Sequence, residues 1–188
     1  MTETQPREAN LAEAAQDRAA EKRFREIIRG NIDIRIARNG TWFHEGSPIN
    51  RKSLVKLFAG ILKREADGAY YLETPAEKRR ITVDDAPFVA VEVTAEGEGG
   101  ERRLTFRTNV GDEVTAGPDH PIRVVFDAQT GEPAPYILVR GGMEALIARP
   151  VYYELVNMGE VRTVDGSDVL GVASGGAFHV LGGMSDDA

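Results

Sequence analysis

Thr74–Phe88 reads Thr-Pro-Ala-Glu-Lys-Arg-Arg-Ile-Thr-Val-Asp-Asp-Ala-Pro-Phe. A proline stands near each end. The residue before a proline avoids the helical region, so Thr74-Pro75 predicts an extended entry and Asp85-Ala86-Pro87 a turn into the next element. Between them, Arg80 to Val83 reads as a short strand. Two proline-fixed loops at the edges of one strand would form a rigid rim presenting Thr74, Glu77, Arg79, Asp84 and Asp85 to a ligand. Loops held by a scaffold are where binding residues concentrate. The competing reading is structural, since paired turn aspartates commonly satisfy backbone N–H groups.

Working back from this stretch, Tyr70 to Leu72 begins a strand. Leu54, Leu57, Phe58, Ile61 and Leu62 recur at helical spacing, with Asn50 placed as an N-cap and Asp67-Gly68 as the stop. Asn39-Gly40 predicts a tight hairpin between an alternating strand (Ile32, Ile34, Ile36) and a return strand, Thr41 to His44. Residues 8–29 are rich in Ala, Glu and Arg and predict a solvated helix. Its apolar end is Phe24, Ile27 and Ile28, and Gly30-Asn31 stops it.

Working forward, the pattern turns to β. Val89, Val91 and Val93 alternate, as do Leu104 and Phe106, then Ile122, Val124 and Phe126. Val114 sits in a short strand. Tyr136 to Val139 and Met143 to Ile147 flank Gly141-Gly142, a second hairpin signal. Pro150 suits the first position of a helix that ends at Gly159. Beyond Asp165 the Gly- and Asp-rich chain predicts a loosely ordered tail.

The chain therefore divides into an N-terminal helical arm (1–30), an α+β subdomain (31–88), a β-rich subdomain with a terminal helix (89–160) and an acidic, Gly-rich tail (161–188). The fold class is α+β, with two β-rich subdomains that each carry a hairpin followed by a helix. Ile36-Ala37-Arg38-Asn39-Gly40 has an echo in Leu138-Val139-Arg140-Gly141-Gly142, each followed by a strand and a helix. Internal duplication is one reading of that echo, and chance similarity of two hairpins is the other. Under duplication, the seam of the two subdomains is the expected ligand site.

Several runs together carry a family resemblance. They are Trp42-Phe43-His44-Glu45-Gly46, Ile49-Asn50-Arg51, Gly68 to Lys78 and Ile81 to Phe88. With them, the chain over about residues 30–160 resembles the bacterial domain-of-unknown-function family twelve-eighty-five. The resemblance implies a duplicated α+β fold whose C-terminal half is similar to pleckstrin-homology-like barrels. It also implies a ligand site at the seam, a nucleotide-like ligand and a role in signalling. It supplies no catalytic residues.

Composition limits the chemistry. The chain has 188 residues, 41% hydrophobic and 28% charged, which suffices for a core. It has no cysteine, so thiolate metal sites are excluded and a reducing cytoplasm fits. Net charge is −7, and residues 1–30 balance six basic against six acidic side chains. Duplex nucleic acid needs a basic face, so it is not an expected partner. No apolar run suits a membrane helix. No cofactor motif appears: there is no phosphate-binding Gly-rich loop and no nucleophile elbow.

Trp42 and His44 share one strand face. In one reading Trp42 packs in the core with His44 at its edge. In the other, Trp42 stacks on a ligand to which His44 donates. Arg103, Arg107, Arg123 and Arg140 are candidates for an anion, because a guanidinium binds carboxylate or phosphate with two parallel hydrogen bonds, and Arg51 is a further ligand candidate. The bland alternative pairs these arginines with surface acids. The leading functional reading is a non-catalytic small-ligand module for an anionic or nucleotide-like molecule. A protein-interaction scaffold and a metal-assisted hydrolase built on His44, Glu77, Asp84 and Asp85 stand behind it.

Overall fold

The computed structural model describes residues 15, 17–25 and 32–183. The expected helix stop at Gly30-Asn31, the apolar pair Ile27 and Ile28, and most of the N-terminal arm lie outside these residues. Two compact units emerge. One comprises the described residues up to Ala37 with Thr41–Asp84, and the other Arg38–Gly40 with the residues from Asp85 onward.

In the first unit, β1 (Ile34–Ile36), β2 (Trp42–His44) and β3 (Ser47–Pro48) form an antiparallel meander. Helix α1 (Lys52–Gly60) follows, then a second meander of β4 (Leu62–Arg64), β5 (Tyr70–Glu73) and β6 (Lys78–Val83). The meanders join through β1 and β6, which run parallel, with Ile36 opposite Val83. The strand order is β3-β2-β1-β6-β5-β4. Ile34, Ile36, Trp42, Leu54 and Phe58 are buried together as apolar core. Trp42 stacks on Phe58 with ring centroids 6.0 Å apart, and Phe24, in a helical stretch over residues 17–25, lies 5.1 Å from the same ring.

Two boundaries differ from expectation. Arg51, not Asn50, is the N-cap, and no side chain caps the helix. The Ile49 N–H is already bonded to the Trp42 carbonyl, which keeps the chain extended past Asn50. Leu62 fits helical spacing but pairs with Leu72 in β4, because the helix closes at Ile61. A buried leucine satisfies either period, so spacing alone does not separate the two.

The second unit repeats the plan. Its first meander is β7 (Phe88–Glu96), β8 (Arg103–Thr108) and β9 (Glu113–Thr115). Its second is β10 (Ile122–Phe126), β11 (Pro133–Arg140) and β12 (Met143–Ile147). Again the first and last strands run parallel, β7 beside β12, giving β10-β11-β12-β7-β8-β9. Both sheets thus share one connectivity. The helix moves: α1 sits between the meanders, whereas α2 (Arg149–Asn157) follows the last strand. The hairpin echo joins strands that are not equivalent in this plan. The first hairpin, β1–β2, corresponds to β7–β8, and β11–β12 corresponds to β5–β6.

The expected Val89-Val91-Val93 alternation also breaks. A bulge between Ala90 and Glu92 turns Val91 out to solvent while Val89 and Val93 stay buried.

The expected loose tail is instead a three-stranded sheet, β13 (Glu160–Val164), β14 (Ser167–Ser174) and β15 (Ala177–Gly183). Its glycines reflect close approach, not looseness. A side chain at Gly171 would meet the Phe178 ring at 2.5 Å, and one at Gly175 the Ala116 carbonyl oxygen at 2.6 Å. Polar bonds tie this sheet into the unit. Ser174 Oγ accepts from the Leu104 N–H (2.9 Å) and donates to the Ala116 carbonyl (2.8 Å). The Tyr152 hydroxyl donates to the Leu181 carbonyl (2.9 Å). Asp186 and Asp187 of the acidic tail lie outside the described residues.

Candidate functional site

Most side chains singled out in the sequence have their own structural work. Trp42 is 1% exposed and belongs to the core, so it offers no face to a ligand, and its indole N–H meets no acceptor among the described residues. Thr74 Oγ1 accepts the Glu77 N–H (3.0 Å) and closes the turn through Pro75. Glu77 pairs with Arg79 at 3.2 Å in solvent. Arg35 grips Asp84, its Nε at 2.8 Å and its second nitrogen at 2.5 Å. That guanidinium holds the Asp84 carboxyl below the usual carboxylate range.

Asp85 sits in a network of the second unit. It accepts from the Tyr136 hydroxyl (2.9 Å) and pairs with Arg38 (3.1 Å). Arg123 stacks over the Tyr136 ring at 4.3 Å and forks onto Glu144 at 2.6 Å. Burial, then the hydrogen bond to Asp85, pushes the Tyr136 hydroxyl above its ordinary pKa. Arg107 is bound to Glu92 (2.8 Å from Nε), and Arg140 lies over the Phe88 ring and 3.4 Å from Asp112. Among the described residues no three His, Asp or Glu side chains converge to hold a metal. Within that set, Glu77, Asp84 and Asp85 each face an arginine instead. No described helix is long and apolar enough to cross a membrane.

His44 and Arg51 are the expected site residues that do meet. They line a cleft of about 330 Å³ in the first unit. β2 carries His44 to its rim, and the extended link from β3 brings Ser47, Asn50 and Arg51 to the start of α1. Arg23 joins from the helical stretch below, and Ile49 and Leu54 give an apolar wall. No carboxylate lines this cleft, and none is paired with Arg23, His44 or Arg51 among the described residues. The first turn of α1 has neither a capping side chain nor an acid, so its free N–H groups carry the positive end of the helix dipole. Arg23 was not singled out in the sequence. It lies in an Ala- and Glu-rich helix whose charges balance, and nothing local marks it.

A larger cleft, about 560 Å³, lies in the second unit beside the start of α2. It also contains two arginines, Arg38 and Arg149, but Asp127 and Glu132 line it as well. Arg149 is bound to Glu132 and Arg38 to Asp85, so its charge is neutralised from within.

A family model described as the N-terminal domain of a domain of unknown function (DUF1285) matches residues 24–86. One described as the C-terminal domain of a protein of unknown function (DUF1285) matches residues 87–181. Among solved structures, the chain is similar to a DUF1285 family protein from Silicibacter pomeroyi DSS-3. The two are 52% identical, 82% of each chain is covered, and the TM-score is 0.75. A DUF1285 family protein from Shewanella baltica OS155 is 26% identical, over 68% of this chain and 92% of that one, with a TM-score of 0.53. No curated protein matches.

Proposed function

Because the chain belongs to the DUF1285 family, whose function is unknown, we propose a reading from its own geometry: it is a non-catalytic binding module for a small anionic, nucleotide-like ligand. The ligand's phosphate or carboxylate sits in the cleft at the start of α1, against Arg51, Arg23 and His44. One observation carries this reading: three donor side chains line a cleft at an uncapped helix N-terminus, with no acid lining it among the described residues. Such a terminus offers N–H groups to an anion, and the arginines add paired, charge-assisted bonds. The cleft volume is at the small end of ligand sites, which suits one phosphorylated group and not an extended cofactor. Binding there would give a module that reports ligand occupancy in signalling. A cysteine-free chain suits the cytoplasm as its place of work.

The test is a thermal-shift and calorimetric titration with inorganic phosphate, AMP and cyclic dinucleotides. A true ligand raises stability by mass action, about 2.7 kcal/mol at a hundredfold excess over Kd. Arg51→Glu lowers that affinity tenfold or more, on the order of 1.5–3 kcal/mol for a lost charged hydrogen bond. Absence of any shift at millimolar concentration of all three anions overturns the reading.

A further inference from the structure

We infer that the outer strand of the third sheet is a self-association edge, which pairs antiparallel with the same strand of a second copy. The inference is independent of the ligand cleft. All five residues of β13 are solvent-exposed, and Val161 keeps 52% of its surface in water. Among the described residues β13 is hydrogen-bonded to β14 alone, so its second side presents unpaired backbone groups. The other sheet edges are guarded. β3, β4 and β9 are two or three residues long. The long edge β15 lies against β10, where the first N–H of β10 is already taken by His179.

Natural sheets blunt an open edge with proline, a bulge or charged side chains, lysine above all. β13 has no proline, lysine or bulge: it reads Glu-Val-Arg-Thr-Val, and its pairing with β14 runs without a register shift. Its two charges, Glu160 and Arg162, have opposite signs and lie two apart on one face, where they pair with each other within the copy. That spacing selects a register. Two identical antiparallel strands must pair residues of like parity about a two-fold axis. With Glu160 on the axis, glutamate faces glutamate, and with Arg162 on it, arginine faces arginine. With Val161 on the axis, each Glu160 faces the Arg162 of the other copy and the valines meet at the centre. Opposite charges directly across a strand pair stabilise it and like charges oppose it. Arg162 is already held in place by stacking on Phe178 at 4.3 Å.

The pairing is short, so the dimer is weak, with Kd on the order of 100 μM, in keeping with the small end of specific interfaces. Sedimentation velocity on the full chain, over a concentration series, reads it. The wild type shifts from monomer to dimer across that range. Arg162→Glu and Glu160→Arg each abolish the shift, because each places like charges across the axis. An equimolar mixture of the two variants restores it, since the two carboxylates of one variant then face the two guanidinium groups of the other. Restoration in the mixture also shows that both variants are folded. A wild type that stays monomeric at about 1 mM, variants that dimerise as well as wild type, or a mixture that fails to associate overturns the proposal.

Discussion

The two six-stranded sheets share a connectivity and differ in where the helix enters, and each helix begins at a cleft. At the start of α1 the cleft holds Arg23, His44 and Arg51 and, among the described residues, no acid. At the start of α2 it holds Arg38 and Arg149, each already bound to a carboxylate. One architecture therefore yields a mouth lined by two arginines and a histidine in one unit and one whose arginines are already paired with carboxylates in the other. The lesson is that the shared fold positions helix termini, while a few side chains decide whether a terminus is free to bind.

The largest way to break the comparison is through the cores. Trp42→Ala in the first unit and Phe106→Ala in the second each cost about 3–5 kcal/mol, for a large buried aromatic left as a cavity. Amide exchange resolved by residue shows the loss in the unit that carries the change. Uniform loss in both units for either variant would dissolve the distinction between them. Next in size, Arg51→Glu weakens phosphate binding at least tenfold, whereas Arg149→Glu leaves it unchanged, as titration calorimetry would record. Equal losses would mean that the second cleft binds as well.

A smaller effect tests the Asp85 network. Tyr136→Phe removes one hydrogen bond to a carboxylate that keeps Arg38, at a cost of about 1 kcal/mol. Urea denaturation reads it, and an unchanged midpoint would show that the bond contributes nothing. The smallest effect is on pH. His179 is 4% exposed, and burial lowers its pKa below the ordinary 6.5. Below pH 6.5 the unfolded chain takes up the proton first, so stability falls until the lower folded pKa is reached. Protonated Nδ1 also loses the Ile122 N–H it accepts at 3.2 Å. Relative to their intrinsic exchange rates, amides of β10 and β15 therefore lose protection as pH drops from about 7 to 5.5, while those of β1 and β6 do not. Equal response in both sets would remove His179 as the cause.

Much of this fold is written in local signals. The Asn39-Gly40 hairpin, the helix through Leu54, Leu57 and Phe58 and the Leu104-Phe106 alternation appear where the residues place them, while the Val89-Val91-Val93 alternation breaks at a bulge. Strand pairing across the chain is not local, so the parallel contacts of β1 with β6 and β7 with β12 had no signature. The tail misled because glycine reads as freedom, while Gly171 and Gly175 are there for close approach. The candidate site was legible only in part. His44 and Arg51 stand in a distinctive run, but Arg23 reaches the cleft from a helix whose sequence is ordinary. Asp84, Asp85 and Thr74, the most conspicuous residues, are occupied by neighbours that no spacing rule reveals.

The third sheet's polar ties set an order on synthesis. Every strand of the first sheet has been synthesised by Val83. The Leu104 N–H, the Ile122 N–H and the Tyr152 hydroxyl wait for Ser174, His179 and Leu181. At roughly 5–20 residues per second that lag is on the order of ten seconds. For that interval every strand of the first sheet exists while these donors of the second unit still await their acceptors, so they are satisfied by water until the third sheet has been made.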